Sequence, residues 1–181
     1  MRNEAAPTPA GRDQAGAEAA VAQQLAGKYM TFKLADEAYG LEILKVREII
    51  GLMEITRVPR ASEYVRGVIN LRGKVIPVVD LRTKFGMPPT DPTDQTVIIV
   101  VQYAAAGRDL TMGILVDQVL EVLSIDAGQI EPPPSFGAAD MDMSFILGVG
   151  KAEERVIFLL DIGRVLSAVE SRELAQVADS N

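Results

Sequence analysis

The sequence predicts a mainly β protein made of two similar small barrels of roughly five strands each, followed by a terminal helix. Short Val- and Ile-rich runs recur with turn residues between them, the pattern of strands. The chain also repeats itself at low similarity. Tyr29 to Phe32 parallels Val97 to Val100 at an offset of 68, Gly40 to Ile50 parallels Gly113 to Leu123 at 73, and Val75 to Leu81 parallels Val156 to Ile162 at 81. An offset that grows by about the size of loop insertions is the mark of a duplicated unit, and closing each unit into a barrel limits exposed strand edges.

In chain order, residues 1–26 are rich in Ala, Gln, Pro and Gly without a continuous apolar core, which predicts a disordered tail and no signal peptide. Lys28 to Leu34, a turn at Asp36-Glu37, and a second run through Tyr39, Leu41, Ile43, Val46 and Ile49 read as a hairpin. Ile55 to Val58 makes a short strand, and Ala61 to Val65 is compatible with one helical turn. Val68 to Leu71 and Val75 to Val79 flank Arg72-Gly73-Lys74, the spacing of a tight hairpin whose glycine takes a positive φ. Arg72 then stands at a tip with no evident fold-building task and is well suited to gripping a carboxylate on a partner. Pro77 in the second run suggests an edge strand or a bulge. Asp80 caps a brief helix over Leu81 to Phe85.

The first barrel accordingly spans about 27–86 and the second about 96–161, with the proline-bearing run 87–94 between them. In the second half Thr96 to Tyr103, Arg108 to Val116, Val119 to Ile125, Ser144 to Val149 and Arg155 to Leu160 are the expected strands, and 127–142 is a Pro- and Gly-containing loop expected to be mobile. Ile162, Val165, Leu166 and Val169 have helical spacing, so 162–181 reads as a terminal helix and tail.

Composition narrows the function. With no Cys and no His, thiolate chemistry is excluded and the commonest proton-transfer group and metal ligand is missing, which disfavours an enzyme. No run of eighteen apolar residues is present, so a cytoplasmic protein without membrane insertion is expected. A net charge of -7 and 5% aromatic residues argue against a nucleic-acid binder. A small-ligand or nucleic-acid-binding barrel is the alternative to a protein adaptor, and it would need an aromatic or basic stripe.

Other motifs have plain readings. Asp80 and Asp161 occupy equivalent places and each precedes a helix start, which makes them caps in preference to a carboxylate pair. Asp140-Met-Asp142 lacks the further oxygen donors of a cation site. Gly148-Val-Gly150-Lys151 lacks the spacer and Ser or Thr of a phosphate loop and reads as a turn. Val46, Val119 and Val122 fit a core. Glu48 shares the first half with Arg72 and offers it a charge within reach.

The segments Tyr39 to Gly51 and Val65 to Gly86, the latter containing Val-Ile-Asn-Leu-Arg-Gly-Lys-Val-Ile-Pro-Val-Val-Asp-Leu-Arg, strongly resemble the CheW family of bacterial chemotaxis coupling proteins. The likeness continues through Gly113 to Asp117 and Ile125 to Glu131 and covers nearly everything after residue 27. It implies two SH3-like barrels, no catalytic activity and no cofactor or metal. It further implies a bridge between the regulatory domain of the histidine kinase CheA and the helical-hairpin tips of chemoreceptors, which recruits the protein to membrane-associated arrays. An apolar groove between the barrels would take the receptor helices. Family positions for coupling fall on Val46, Glu48, Gly67, Arg72, Val119 and Val122, with Asn70 in the same hairpin motif.

Charge is divided unevenly. Residues 42–84 hold nine Lys or Arg against five Asp or Glu, a net of +4, and 85–181 hold five against fifteen, a net of -10. Opposite charge on two similar barrels predicts first-to-second contacts that run on as rings or filaments. Because charge mainly sets orientation and rate, the isolated chain is expected to be largely monomeric.

Overall fold

The computed structural model of the chain describes residues 9–105, 107–133 and 144–165. Its elements are α1 (Pro9–Leu25), β1 (Gly27–Leu34), β2 (Glu37–Glu42), β3 (Val46–Gly51), β4 (Val65–Leu71), β5 (Lys74–Asp80), α2 (Leu81–Lys84), β6 (Val97–Ala105), β7 (Arg108–Val116), β8 (Gln118–Ile125), β9 (Ile130–Glu131), β10 (Ile146–Ala152), β11 (Arg155–Leu160) and α3 (Ile162–Val165). They form two sheets, β3-β6-β7-β5-β4 and β8-β1-β2-β11-β10-β9. In the first, the edges meet where Thr56 and Val68 exchange backbone hydrogen bonds of 2.8 Å each. In the second, the outer strands β8 and β9 are joined through the 3-10 turn Ala127–Gln129. These are the two SH3-like barrels, here named first and second.

Neither barrel is a contiguous half of the chain, contrary to the expected division at 27–86 and 96–161. The hairpin β1–β2 belongs to the second barrel and β6–β7 to the first. The cause lies at two crossovers. A 3-10 turn at Ile43–Lys45 interrupts what the sequence presents as one run from Tyr39 to Ile49 and sends β3 to the other sheet; the step from β7 to β8 at Asp117 does the same in return. Sequence repetition cannot separate a repeat folded on itself from one that has traded hairpins, because both bury the same faces.

The exchange is symmetric down to the register. Ile98 pairs with Ile50 as Tyr29 pairs with Leu123, and Val101 with Val46 as Phe32 with Val119. The first-strand offset is therefore 69 (Tyr29 to Ile98) rather than 68, a slip of one residue that would have turned each side chain to the wrong face. β5 lies parallel to β7 through Val78 and Gly113, and β11 lies parallel to β2 through Leu159 and Gly40, confirming the offsets of 73 and 81. Asp80 and Asp161 both cap: Asp80 accepts from the N–H of Arg82 at 3.0 Å and Asp161 from that of Gly163 at 2.9 Å.

Each barrel has its own core, around Ile69, Val78 and Ile98 in the first and Tyr29, Ile157 and Leu159 in the second. A third core lies between them, shared by Phe32, Tyr39, Leu41 and Leu160 on one side and Val79, Val101, Ile114 and Val116 on the other. Phe85 at the end of α2 stacks on Phe145 at 5.0 Å between ring centres, and Tyr39 lies against Phe32, Phe85 and Phe158.

Several local expectations change. Residues 9–25 are helical rather than disordered, because an Ala-rich segment is the best helix former once its end can dock. Ala61 to Val65 forms a turn closed by the Val65 N–H on the Ser62 carbonyl, 2.9 Å, and Ile55 to Val58 contributes a single bridge in place of a strand. Gly148 to Lys151 lies inside β10. Pro77 is in an interior strand. It loses nothing there, since its partner Val68 turns both backbone groups toward Thr56 and the ladder to β7 begins at Val78. Residues 1–8, 134–143, including Asp140 and Asp142, and 166–181 lie outside the described residues.

Arg82 ties the barrels together. Its guanidinium donates to Asp117 at 2.6 Å and to the Pro88 carbonyl at 2.9 and 3.1 Å, while the same Asp117 oxygen accepts from the N–H of Ala35 in the β1–β2 turn. Removing a largely buried donor strands the carboxylate it serves, so Arg82→Ala is expected to destabilise the fold by about 2 kcal/mol. Urea denaturation checks this, and an unchanged midpoint would show that the crossover holds without the ion pair.

Candidate functional site

The β4–β5 hairpin turns on two residues with positive φ, Arg72 at 54° and Gly73 at 86°, the conformation that matches the twist of paired strands. Asn70 holds this turn, its Oδ1 accepting from the Gly73 N–H at 2.9 Å. The turn places the Arg72 guanidinium against Glu48 on β3, Nη1 to Oε1 and Nη2 to Oε2, both 2.8 Å. Arg72 thus has a fold-level contact that its tip position did not suggest: the fork clasps the two edge strands of the first barrel across their seam. Arg72 remains 74% exposed and Glu48 30%. The hydrogen bond to Arg72 leads in holding the Glu48 carboxyl below its usual range, and the bond to Glu48 leads in raising Arg72.

Gly67 lies buried at an irregularity of β4 with φ 144°. A Cβ there would fall 2.0 Å from the Thr56 carbonyl oxygen, so glycine lets the closing bridge approach. Its part in the site is to shape the rim that carries Glu48 and Arg72. Val46 and Val119, at equivalent places on β3 and β8, are half-buried against the shared core. Val122 is 47% exposed on β8. The structure therefore gathers Glu48, Gly67, Asn70 and Arg72 on the first-barrel seam, and distributes the three valines over two edge strands bordering the inter-barrel core.

The sequence reading missed Ile49, 40% exposed, and Leu44, 87% exposed. The repeat contained the signal for the first, because an offset of 73 superposes Ile49 on Val122. It also missed the second seam. The β10–β11 turn repeats the hairpin geometry, with Glu153 and Glu154 at φ 52° and 63°, so Glu153 stands where Arg72 does and faces Glu121, the counterpart of Glu48. Two carboxyls meet there. Hydrogen bonding to Glu153 and its charge push the Glu121 carboxyl up, with burial adding and Arg155 opposing. Thr31 steadies this strand, its buried hydroxyl donating to the Glu121 carbonyl at 2.6 Å and accepting from the Glu121 N–H at 3.1 Å.

The family model described as "CheW-like domain" matches residues 28–170. This chain belongs to the CheW family. It is 37% identical to "Chemotaxis protein CheW" of Klebsiella aerogenes over 90% of this chain and 98% of that protein, and 34% identical to the Bacillus subtilis protein of the same name over 80% and 90%. Among solved structures it resembles the scaffolding protein TtCheW from Thermoanaerobacter tengcongensis, with a TM-score of 0.66 and 37% identity over 76% of this chain and 90% of that one. α1 begins ahead of the family match, which starts at residue 28.

Two outcomes follow for this CheW-family site. Gly67→Ala is expected to cost about 2 kcal/mol or more, since a Cβ must displace backbone at a strained φ, while Arg72→Ala leaves the denaturation midpoint close to the parent; equal midpoints for the two variants would refute the distinction. In carboxyl NMR titrations Glu48 protonates below the usual range and returns to it in Arg72→Ala, whereas Glu121 protonates above it and falls in Glu153→Gln. By linkage the Glu48 contribution to stability is present above its unfolded pKa and fades as pH drops through the lowered one. That of Glu121 is present below its unfolded pKa and fades as pH rises through the raised one.

Proposed function

We propose that the protein is a non-enzymatic scaffold that couples chemoreceptors to the chemotaxis histidine kinase CheA in signalling arrays, working from the cytoplasm. The observation that carries this is the bidentate Glu48–Arg72 pair, a charged device on a rim with Arg72 74% exposed. A fork already satisfied by one carboxylate still presents its outer face and fixes the orientation of an approaching partner. On the edge strands, Ile49 and Val122 with Val46 and Val119 behind them supply aliphatic surface of the kind that receives amphipathic helices, fitting receptor tips. A nucleic-acid or small-ligand barrel is less well supported, because none of the exposed large apolar residues among the described ones is aromatic, and they give bases nothing to stack on.

Arg72→Ala is expected to abolish kinase activation in arrays reconstituted from receptor, kinase and this protein, while the variant stays folded. Ile49→Lys and Val122→Lys are expected to lose receptor pull-down. Full activation by Arg72→Ala would remove the rim from the mechanism.

A further inference from the structure

The second barrel is covered at one end and open at the other. At the covered end, where β1 begins, Ala22 and Leu25 of α1 pack onto the core around Ile125 and Ile130, and the Tyr29 hydroxyl donates to the Leu25 carbonyl at 2.5 Å. Lys33 lies near the other end of β1, paired with Ala38 on β2 and with Gln118 on β8, so the three share one face of the sheet. Ala38 packs on the second-barrel core, which makes that face the lumen side. The open mouth is a cleft of about 390 Å³, the size and place of a small-molecule site.

Its wall carries both signs of charge. Lys33 and Gln118 line it with Asp36 and Glu37 of the β1–β2 turn and Arg155 of β11. Among the described residues no ion pair forms between these two cations and these two carboxylates. Each sits on backbone fixed by other bonds. Ala35 turns with φ 53° and donates its N–H to Asp117 at 2.8 Å, and Asp117 is held in turn by Arg82. Glu153 and Glu154, at φ 52° and 63°, shape the turn that leads into Arg155, which also favours the ionised form of Glu121. A cleft whose charges are held apart before a ligand arrives saves the cost of ordering them. The pattern belongs to this barrel alone, since by the offsets of 69 and 73 Lys33 becomes Gln102 and Glu37 becomes Leu110 in the first.

We propose that the open mouth of the second barrel binds a small zwitterion, a free α-amino acid whose carboxylate faces Lys33, Gln118 and Arg155 and whose ammonium faces Asp36 and Glu37. A simple anion would be repelled by the two carboxylates of the wall and a simple cation by its two cations, so only a molecule with both charges satisfies all four. Leu120 and Val156, the latter 49% exposed, add an apolar wall for a short aliphatic side chain. The site is independent of the coupling reading, because none of its residues belongs to the Glu48–Arg72 rim.

Titration of L-alanine into the isotope-labelled full chain, followed by NMR, tests this without kinase or receptor. Saturable shifts are expected at the amides of Lys33, Ala38, Gln118 and Arg155, with those of Gly27 and Ile125 at the covered end unmoved. Acetate and methylammonium, which each carry one of the two charges, should bind about tenfold more weakly, the factor that loss of a bond to a charged group brings. Lys33→Gln and Glu37→Gln should each weaken L-alanine by about the same factor. Arg155→Gln serves as the cation variant should Lys33→Gln fail to fold. Absence of saturable shifts, acetate or methylammonium binding as well as L-alanine, or unchanged affinity in the charge variants overturns the proposal.

Discussion

The trade of hairpins between the two repeats is the constraint on which the rest of the structure depends. With β1–β2 in one barrel and β6–β7 in the other, neither barrel can close without strands from both halves of the chain. Unfolding one must expose the other, because the third core, with Phe32 and Tyr39 facing Val101 and Ile114, belongs to both. Two barrels joined by a linker would move independently, as domains with small interfaces do. Here the crossovers at Ile43–Lys45 and Asp117 and the Arg82 clasp hold both rims in one frame.

Within that frame the duplicated copies have kept their interiors and changed their rims. Tyr29 and Ile98, Phe32 and Val101, Leu41 and Ile114, and Val78 and Leu159 are equivalent and buried in both, and the capping aspartates serve the same bonds. At the seams the same turn geometry carries Arg72 opposite Glu48 in one copy and Glu153 opposite Glu121 in the other. Packing tolerates few changes of volume in a dense core, whereas an exposed turn accepts either sign of charge at little cost in stability. Acid therefore acts oppositely on the two rims, loosening the first as Glu48 protonates and relieving the second as Glu121 does.

Much of this was legible in the sequence, and the failures have physical causes. The strands, the caps at Asp80 and Asp161 and the hairpin tip at Arg72 follow from alternation and turn chemistry. The exchange of hairpins does not, because pairing partners leave no trace in local periodicity. Pro77 sits in an interior strand rather than at the edge or bulge that a missing N–H suggests, because the neighbouring strand turns its own groups elsewhere. The helix over 9–25 was hidden by the compositional likeness of Ala-rich helices to disordered tails; only its docking residues, Ala22 and Leu25, distinguish them. Of the site, Glu48 and Arg72 could be paired by proximity in sequence and sign of charge. Gly67 and Asn70 could not be given their parts without the carbonyl of Thr56 and the N–H of Gly73 in view.

The two seams are closed by different contacts. In the first barrel the edges are held by the Thr56–Val68 bridge and the Glu48–Arg72 fork. In the second, the carboxyls of Glu121 and Glu153 cannot clasp while both are charged, and closure falls to backbone contacts and to the ion pair of Lys151 on β10 with Glu131 on β9, 2.6 Å. Glu131 of β9 pairs with Val149, Ile130 with Gly150, and the capped 3-10 turn at Asp126 to Gln129 links β9 back to β8. That turn accounts for the two-residue growth in offset, from 73 at Leu52 and Ile125 to 75 at Ile55 and Ile130, and α1 rests on it. The two-residue insertion is thus the platform on which the amino-terminal helix sits.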